Sequence, residues 1–222
     1  EGAIGELRHA RFRYLQDWLV DADAPWTWRM SADSAGSGAL GDLGAHSFDL
    51  ARFLVGEVDA VSGHRETFVD ERVPEGKTEP RPVTVDDAFA AHAEFENGAM
   101  GTFEATRYAT GRKNGHTFEL DGSEGALRFD LERLNELEVR RGDGRGFETV
   151  LVTEDDDPYG EHWWPAGHVL GWEHTFVHEN SEFLTAAAGD GGFDPGFDDG
   201  LAVQQLLDAV ERSDDRREWV TV

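Results

Sequence analysis

Two side chains in this sequence have the types and the spacing for proton chemistry: Asp42 and His46, four residues apart in the run GSGALGDLGAHSFDLARFLVG at 36–56. A helix brings positions i and i+4 to one side, a turn apart, so carboxylate and imidazole project together as an acid/base pair. Imidazole, with a reference pKa near 6.5, is the side chain suited to moving a proton near neutral pH. Ordinary helices use the same spacing for a solvated or locally hydrogen-bonded pair. Gly36, Gly38 and Gly41 would let backbone approach a ligand, and Gly44 removes one side chain from the surface between the pair. Leu43, Leu50 and Leu54 mark the buried stripe, with Phe53 beside it, and Gly56 ends the helix.

The elements that must position this helix read mainly as strands. Residues 4–14 alternate loosely, with Arg8, Ala10, Phe12 and Tyr14 on one parity and His9, Arg11 and Arg13 on the other. Strands are also predicted over 58–69, 86–95, 99–108, 116–120, 126–130, 134–141 and 147–152, with Asn97-Gly98 as a type I′ hairpin turn. Helices are predicted over about 169–188 and 197–212, and a closing strand over 219–222. The expectation is an α+β fold: one domain over 1–222, with a large, mainly antiparallel sheet and helices on one face. The other face, if flat and partly apolar, calls for a partner.

Other residues invite a functional reading beside a plain one. Trp26, Trp28 and Arg29 lead toward the glycine loop, and two tryptophans spaced by two serve as core packing or as a platform for sugar CH groups. Trp164 and His168, in the loop His162-Trp163-Trp164-Pro165-Ala166-Gly167-His168, suit a binding wall or a loop pinned by packed tryptophans. His174 and His178 have a spacing that can hold zinc, but without the H-E-x-x-H pattern or an assigned third ligand no metal is expected. Gly111-Arg112-Lys113-Asn114 is the one compact basic loop, able to meet an anionic group or to be a simple turn. Asp49 and Arg52 read as a structural pair.

The run W-x-W-R, then G-x-G-A-L-x-D-L-G-x-H-x-x-D-L-x-R-F-L-x-G, resembles the substrate-domain signature of the Gfo/Idh/MocA family of NAD(P)-dependent sugar and polyol oxidoreductases. ELDGSEGALRFDLERLNELEV resembles the hairpin of that family's C-terminal sheet, and GHVLGWEHTFVHENSEFL its late helix. The resemblance implies a dihydrodipicolinate-reductase-like C-terminal domain. It makes His46 the base that removes a hydroxyl proton from an inositol-like sugar or polyol, and Asp42 the group that orients the ring or binds a neighbouring hydroxyl. It places Gln16 beside the substrate. It also implies homo-oligomers built through the sheet and a cytoplasmic address.

The sequence holds neither a G-x-G-x-x-G between strand and helix nor a Glu-Lys-Pro motif; its two lysines are Lys77 and Lys113. The expectation is therefore a chain without its Rossmann domain, inactive alone, with NAD or NADP bound mainly by that absent partner and no cofactor-binding residue here. The rival expectation is a non-catalytic oligomerisation or sugar-binding module, and a third is a metal-dependent isomerase or hydrolase using His46, His168, His174 and His178.

Composition narrows the classes further. A net charge of -26, from 46 acidic against 20 basic residues spread along the chain, disfavours nucleic acid. No apolar run approaches the eighteen or so residues of a membrane span. The absence of cysteine removes thiolate chemistry and disulfides. Acidity on this scale, with arginine as nearly the only base, predicts a salt-adapted (halophilic) protein.

Overall fold

Alternation is realised along β1 (Leu7–Leu15), where Ala10, Phe12 and Tyr14 are buried and Arg13 is exposed between them. The computed structural model describes residues 2–222. After β1 come the short helix α1 (Ala32–Ala35), a π-helical turn (Leu40–Gly44) and the helix α2 (Ala45–Leu54) that continues it. The strands β2 (Val58–Glu66), β3 (Glu71–Arg72), β4 (Arg81–Pro82), β5 (Ala88–Phe95), β6 (Met100–Thr106), β7 (Gly115–Gly122), β8 (Gly125–Asp130), β9 (Glu136–Arg141) and β10 (Glu148–Leu151) follow. Helices α3 (Glu173–Ala187) and α4 (Phe197–Arg216) and the strand β11 (Val220–Thr221) complete the order.

Nine strands form one sheet in the order β10-β9-β8-β7-β1-β6-β5-β2-β11, with β3 and β4 a separate pair. β1 and β6 run parallel, and the other neighbours in the sheet are antiparallel. The expected α+β class with a large, mainly antiparallel sheet is thus observed. Helices α2 and α4 cover one face, where Phe48 of α2 meets Phe103 of β6 at 4.4 Å between ring centroids and Phe103 stacks on Phe12 at 5.3 Å. Val203, Leu206, Leu207 and Val210 of α4 complete this core. Truncating a side chain as buried as Phe48 typically costs about 3–5 kcal/mol.

Three expectations need correction. The β5–β6 hairpin is not type I′: Gly98 has φ 85° but Asn97 does not have positive φ, and the Gly98 amide donates to the Phe95 carbonyl at 2.8 Å. That is a type I turn followed by a left-handed glycine, the three-residue hairpin. Phe53 is 84% exposed; Leu43 is buried and Leu50 and Leu54 pack half-buried against the core as expected, while Leu40, Phe48 and Ala51 complete the buried face. The uncovered sheet face is polar: Arg11 pairs with Glu119 at 3.1 Å and also with Asp121, and Arg128 with Glu119 at 2.9 Å. Helix α3 stands apart from this layering, with none of its residues buried and Phe176, Val177, Phe183 and Leu184 exposed.

Candidate functional site

The glycines before α2 serve the fold more than the surface. A Cβ on Gly38 would lie 1.7 Å from the Asp86 carbonyl oxygen, and one on Gly44 would lie 2.8 Å from the Phe89 ring. Close approach here is to the protein's own chain. The Asp86 carboxylate accepts from the amides of Gly38 and Leu40, both at 2.7 Å, so a side chain from outside the helix satisfies donors at its start. The turn that follows is wound as π, a geometry frequent at functional sites, and it carries Asp42.

Asp42 and His46 are both exposed, yet among the described residues they do not hydrogen-bond each other. The Asp42 carboxylate, whose side chain is 43% exposed, instead accepts from Arg107 at 2.9 Å. The His46 ring meets the edge of Tyr14 at 5.8 Å between centroids. Tyr14 stacks flat on His116 at 4.4 Å, as the β1–β7 register dictates by placing the two opposite one another. His116 is also within 3.2 Å of the Ser47 hydroxyl, and burial, followed by the nearby charge of His46, lowers its pKa to about 4. It is therefore a neutral imidazole at neutral pH. Burial, then the Asp42 carboxylate, raises the Tyr14 phenol above its ordinary value and keeps it a donor.

A chain of side-chain hydrogen bonds runs along the same edge. Trp18 Nε1 donates to Gln16 Oε1 at 3.0 Å, Gln16 Nε2 to Asn114 Oδ1 at 3.0 Å, and the Tyr14 hydroxyl to the same oxygen at 2.7 Å. The ends of β1 and β6, the start of β7 and the first turns of the helix thus bring Tyr14, Gln16, Asp42, His46, Asn114 and His116 to one sheet end. His46 borders two concavities. One, of about 510 Å³, also touches His116, Asp49 and Pro195; the other, of about 550 Å³, lies between α2 and α4. Asp42 lies outside both. A further concavity, about 850 Å³, is on the polar sheet face and is lined by none of these groups.

Of the candidates read from sequence, Gln16, Asp42 and His46 meet here and the others do not. Trp28 packs beneath the Arg29 guanidinium at 4.6 Å, as a local pair. Trp164 is 75% exposed and lies against His168, whose Nδ1 approaches the Pro165 carbonyl. His178 is taken up by Trp163 and Tyr159, and His174 accepts from the Gly171 amide at 3.2 Å. Among the described residues no group of three or more His, Asp or Glu side chains is placed to hold a metal ion.

Asp49 and Arg52 are not a pair: Arg52 binds Glu57 at 2.8 Å and Asp199 at 3.2 Å. Asp49 is left beside His46 on both concavities, its pKa raised by burial. Sequence reading missed Tyr14, Asn114 and His116 as site residues; the signal available for Tyr14 was its parity with Gln16 at the end of β1. The basic loop is committed, Lys113 to Asp17 at 2.7 Å and Arg112 to Glu132 at 2.9 Å.

Comparison with known proteins follows the same lines. A family model described as the GFO/IDH/MocA C-terminal domain matches residues 1–128. The levoglucosan dehydrogenase of Pseudarthrobacter phenanthrenivorans is 41% identical over 100% of this chain, which spans 61% of that protein's length. An oxidoreductase domain protein from Kribbella flavida, 48% identical, superposes with a TM-score of 0.95 over 100% of this chain and 60% of its own. Levoglucosan dehydrogenase in complex with NADH and levoglucosan, 42% identical with the same coverage, gives a TM-score of 0.94.

Proposed function

The chain belongs to the GFO/IDH/MocA family, and from that premise we propose that it supplies the substrate wall and the proton acceptor for NAD(P)-dependent oxidation of a secondary alcohol on a sugar or polyol. Levoglucosan, named by a relative, is the first substrate to test. The observation that carries this reading is the convergence of His46 and Asp42 with Tyr14 and Gln16 at one sheet end. His46, exposed at a concavity and stacked against nothing on its outer side, is the base that takes the hydroxyl proton. Asp42 accepts a hydrogen bond from a second hydroxyl, and Tyr14 and Gln16 order the wall between.

In this reading the chain holds no dinucleotide of its own, its compact basic loop being paired with Asp17 and Glu132. The nicotinamide cofactor, which accepts hydride when bound, belongs in this reading to a separate Rossmann lobe of the kind that the family resemblance implies. The apolar, unburied face of α3 supports a docked lobe. The chain alone is then inactive, and its sheet-and-helix layer is of the dihydrodipicolinate-reductase-like class. Among the described residues no helix is long and apolar enough to cross a membrane; a cytoplasmic address and assembly through the sheet rest on the family alone.

The test is NAD(P)+ reduction by the full-length protein with a panel of anhydrosugars, hexoses and inositols. A positioned base contributes about 10²–10⁴-fold, and His46→Ala should cost that much in kcat. Undiminished turnover by that variant rules out the assignment of His46.

A further inference from the structure

Arg107, the residue after β6 has ended, is 2% exposed, the largest of the fully buried side chains. Its NH2 nitrogen donates to the Asp42 carboxylate at 2.9 Å and to the Gly38 carbonyl at 3.1 Å, and its guanidinium lies 5.2 Å from the centroid of the Trp18 ring. Its Nε and NH1 are buried and find no hydrogen-bond partner among the described residues. Leaving buried donors unmet costs about 1–3 kcal/mol each, so as a device for stability alone this arginine is poorly used. What it does achieve is geometric. One nitrogen ties together the glycine turn before the helix and the carboxylate on the π-helical turn, while Trp18, hydrogen-bonded to Gln16, covers the cation.

We propose that Arg107 is a positioning residue of the candidate site, acting through Asp42: it fixes one carboxylate oxygen so that the other is presented to a substrate hydroxyl, and it touches no substrate itself. This rests on the functional reading above. With Asp42 committed to Arg107, the carboxylate is an acceptor of fixed direction and the proton passes to His46 alone. Lysine in place of Arg107 keeps a nitrogen that can donate to these acceptors but lacks the planar guanidinium that lies by Trp18 and aims that nitrogen.

The test is a cycle in the full-length protein with the best sugar of the panel. Arg107→Gln should lower kcat/KM by about 100-fold, the loss expected when a reacting group is misplaced by an ångström. Arg107→Lys should recover part of it, and Asp42→Asn should cost a similar factor. In the Asp42→Asn background Arg107→Gln should then add little, because its route to the substrate is already cut. Losses that multiply, or an Arg107→Gln enzyme within twofold of the parent, overturn the proposal. If Arg107→Gln does not fold, the cycle run with Arg107→Lys is read by the same rule. Should the unaltered protein oxidise no panel sugar, the functional reading is what fails. The coupling is then read from melting temperatures of the 222-residue chain, where shifts smaller together than the sum of the singles support the Arg107–Asp42 linkage and additive shifts refute it.

Discussion

At the scale of single residues, His116 makes the sharpest physical statement, because the burial that surrounds it also sets the direction of its titration. It is stacked on Tyr14, bonded to Ser47 and held neutral, with its pKa at about 4 against 6.5 for the unfolded chain. A histidine with a lowered folded pKa gives its full stability above 6.5 and loses it as pH falls toward 4, since the unfolded state takes up the proton first. That window is worth about 3 kcal/mol. Urea unfolding from pH 7 to pH 4.5 should therefore show a fall of roughly 2–3 kcal/mol in the parent that His116→Phe lacks. Parallel curves for the two proteins are the outcome that removes this account. The acid/base pair itself was readable from its spacing, whereas Tyr14, Asn114 and His116 were not. Their meeting depends on β1–β7 register, which links residues about a hundred positions apart. Trp28, Arg29, Trp164 and His168 had suitable chemistry in suggestive runs, but the aromatic contacts they make are within those runs, Arg29 on Trp28 and Trp164 against His168.

At the scale of elements, the start of α2 is the joint on which the site turns. Gly38→Ala puts a methyl where the Asp86 carbonyl stands, 1.7 Å away, and backbone on both sides has little room to give. A loss of about 1–3 kcal/mol is expected in denaturant unfolding, with Gly36→Ala, which meets open space but has φ 79°, failing for conformational reasons instead. Asp86→Ala removes the acceptor for two amides and should cost about 1–2 kcal/mol. Strands and helices were readable here because alternation and turn residues are local; the β5 pattern alternates from Phe89 to Phe95, and that of β1 from Ala10 to Tyr14, with Arg8 exposed on the same parity. The helix faces were less so. Phe53 looks like core by type and lies outside, because the π-helical turn shifts the angular register that a uniform 3.6-residue count assumes. Helix α3 carries Phe176, Val177, Phe183 and Leu184 yet buries nothing among the described residues. If its apolar face seats a second lobe, limited chymotrypsin treatment should cut near Phe176 and Phe183 in the 222-residue chain and spare them in the full-length protein. Equal cutting in both would leave that face without its proposed partner.

At the scale of the whole molecule, a charge of -26 is the term that no local contact cancels. Arg65 gathers Glu211, Asp214 and Asp215 from α4, and Arg11 and Arg128 share Glu119, so the arginines already serve several acids each. Such exposed pairs contribute little individually, about 0–1 kcal/mol, and salt weakens them. The unpaired acids repel one another over distances that salt shortens, with a screening length of about 30 Å at 0.01 M and 3 Å at 1 M. Two effects of opposite sign therefore compete. With more than twice as many acids as bases, relief of repulsion outweighs the loss of pairs. The melting temperature should accordingly rise between 0.01 M and 1 M KCl. A test that separates screening from general salting-out uses equal ionic strengths of KCl and potassium sulfate. Screening gives matching gains up to about 0.3 M, whereas exclusion from the surface favours sulfate and acts mainly above that range. A melting temperature flat or falling across the KCl series would mean that the acids are spaced well enough to be harmless, and that salt adaptation is the wrong reading of this composition.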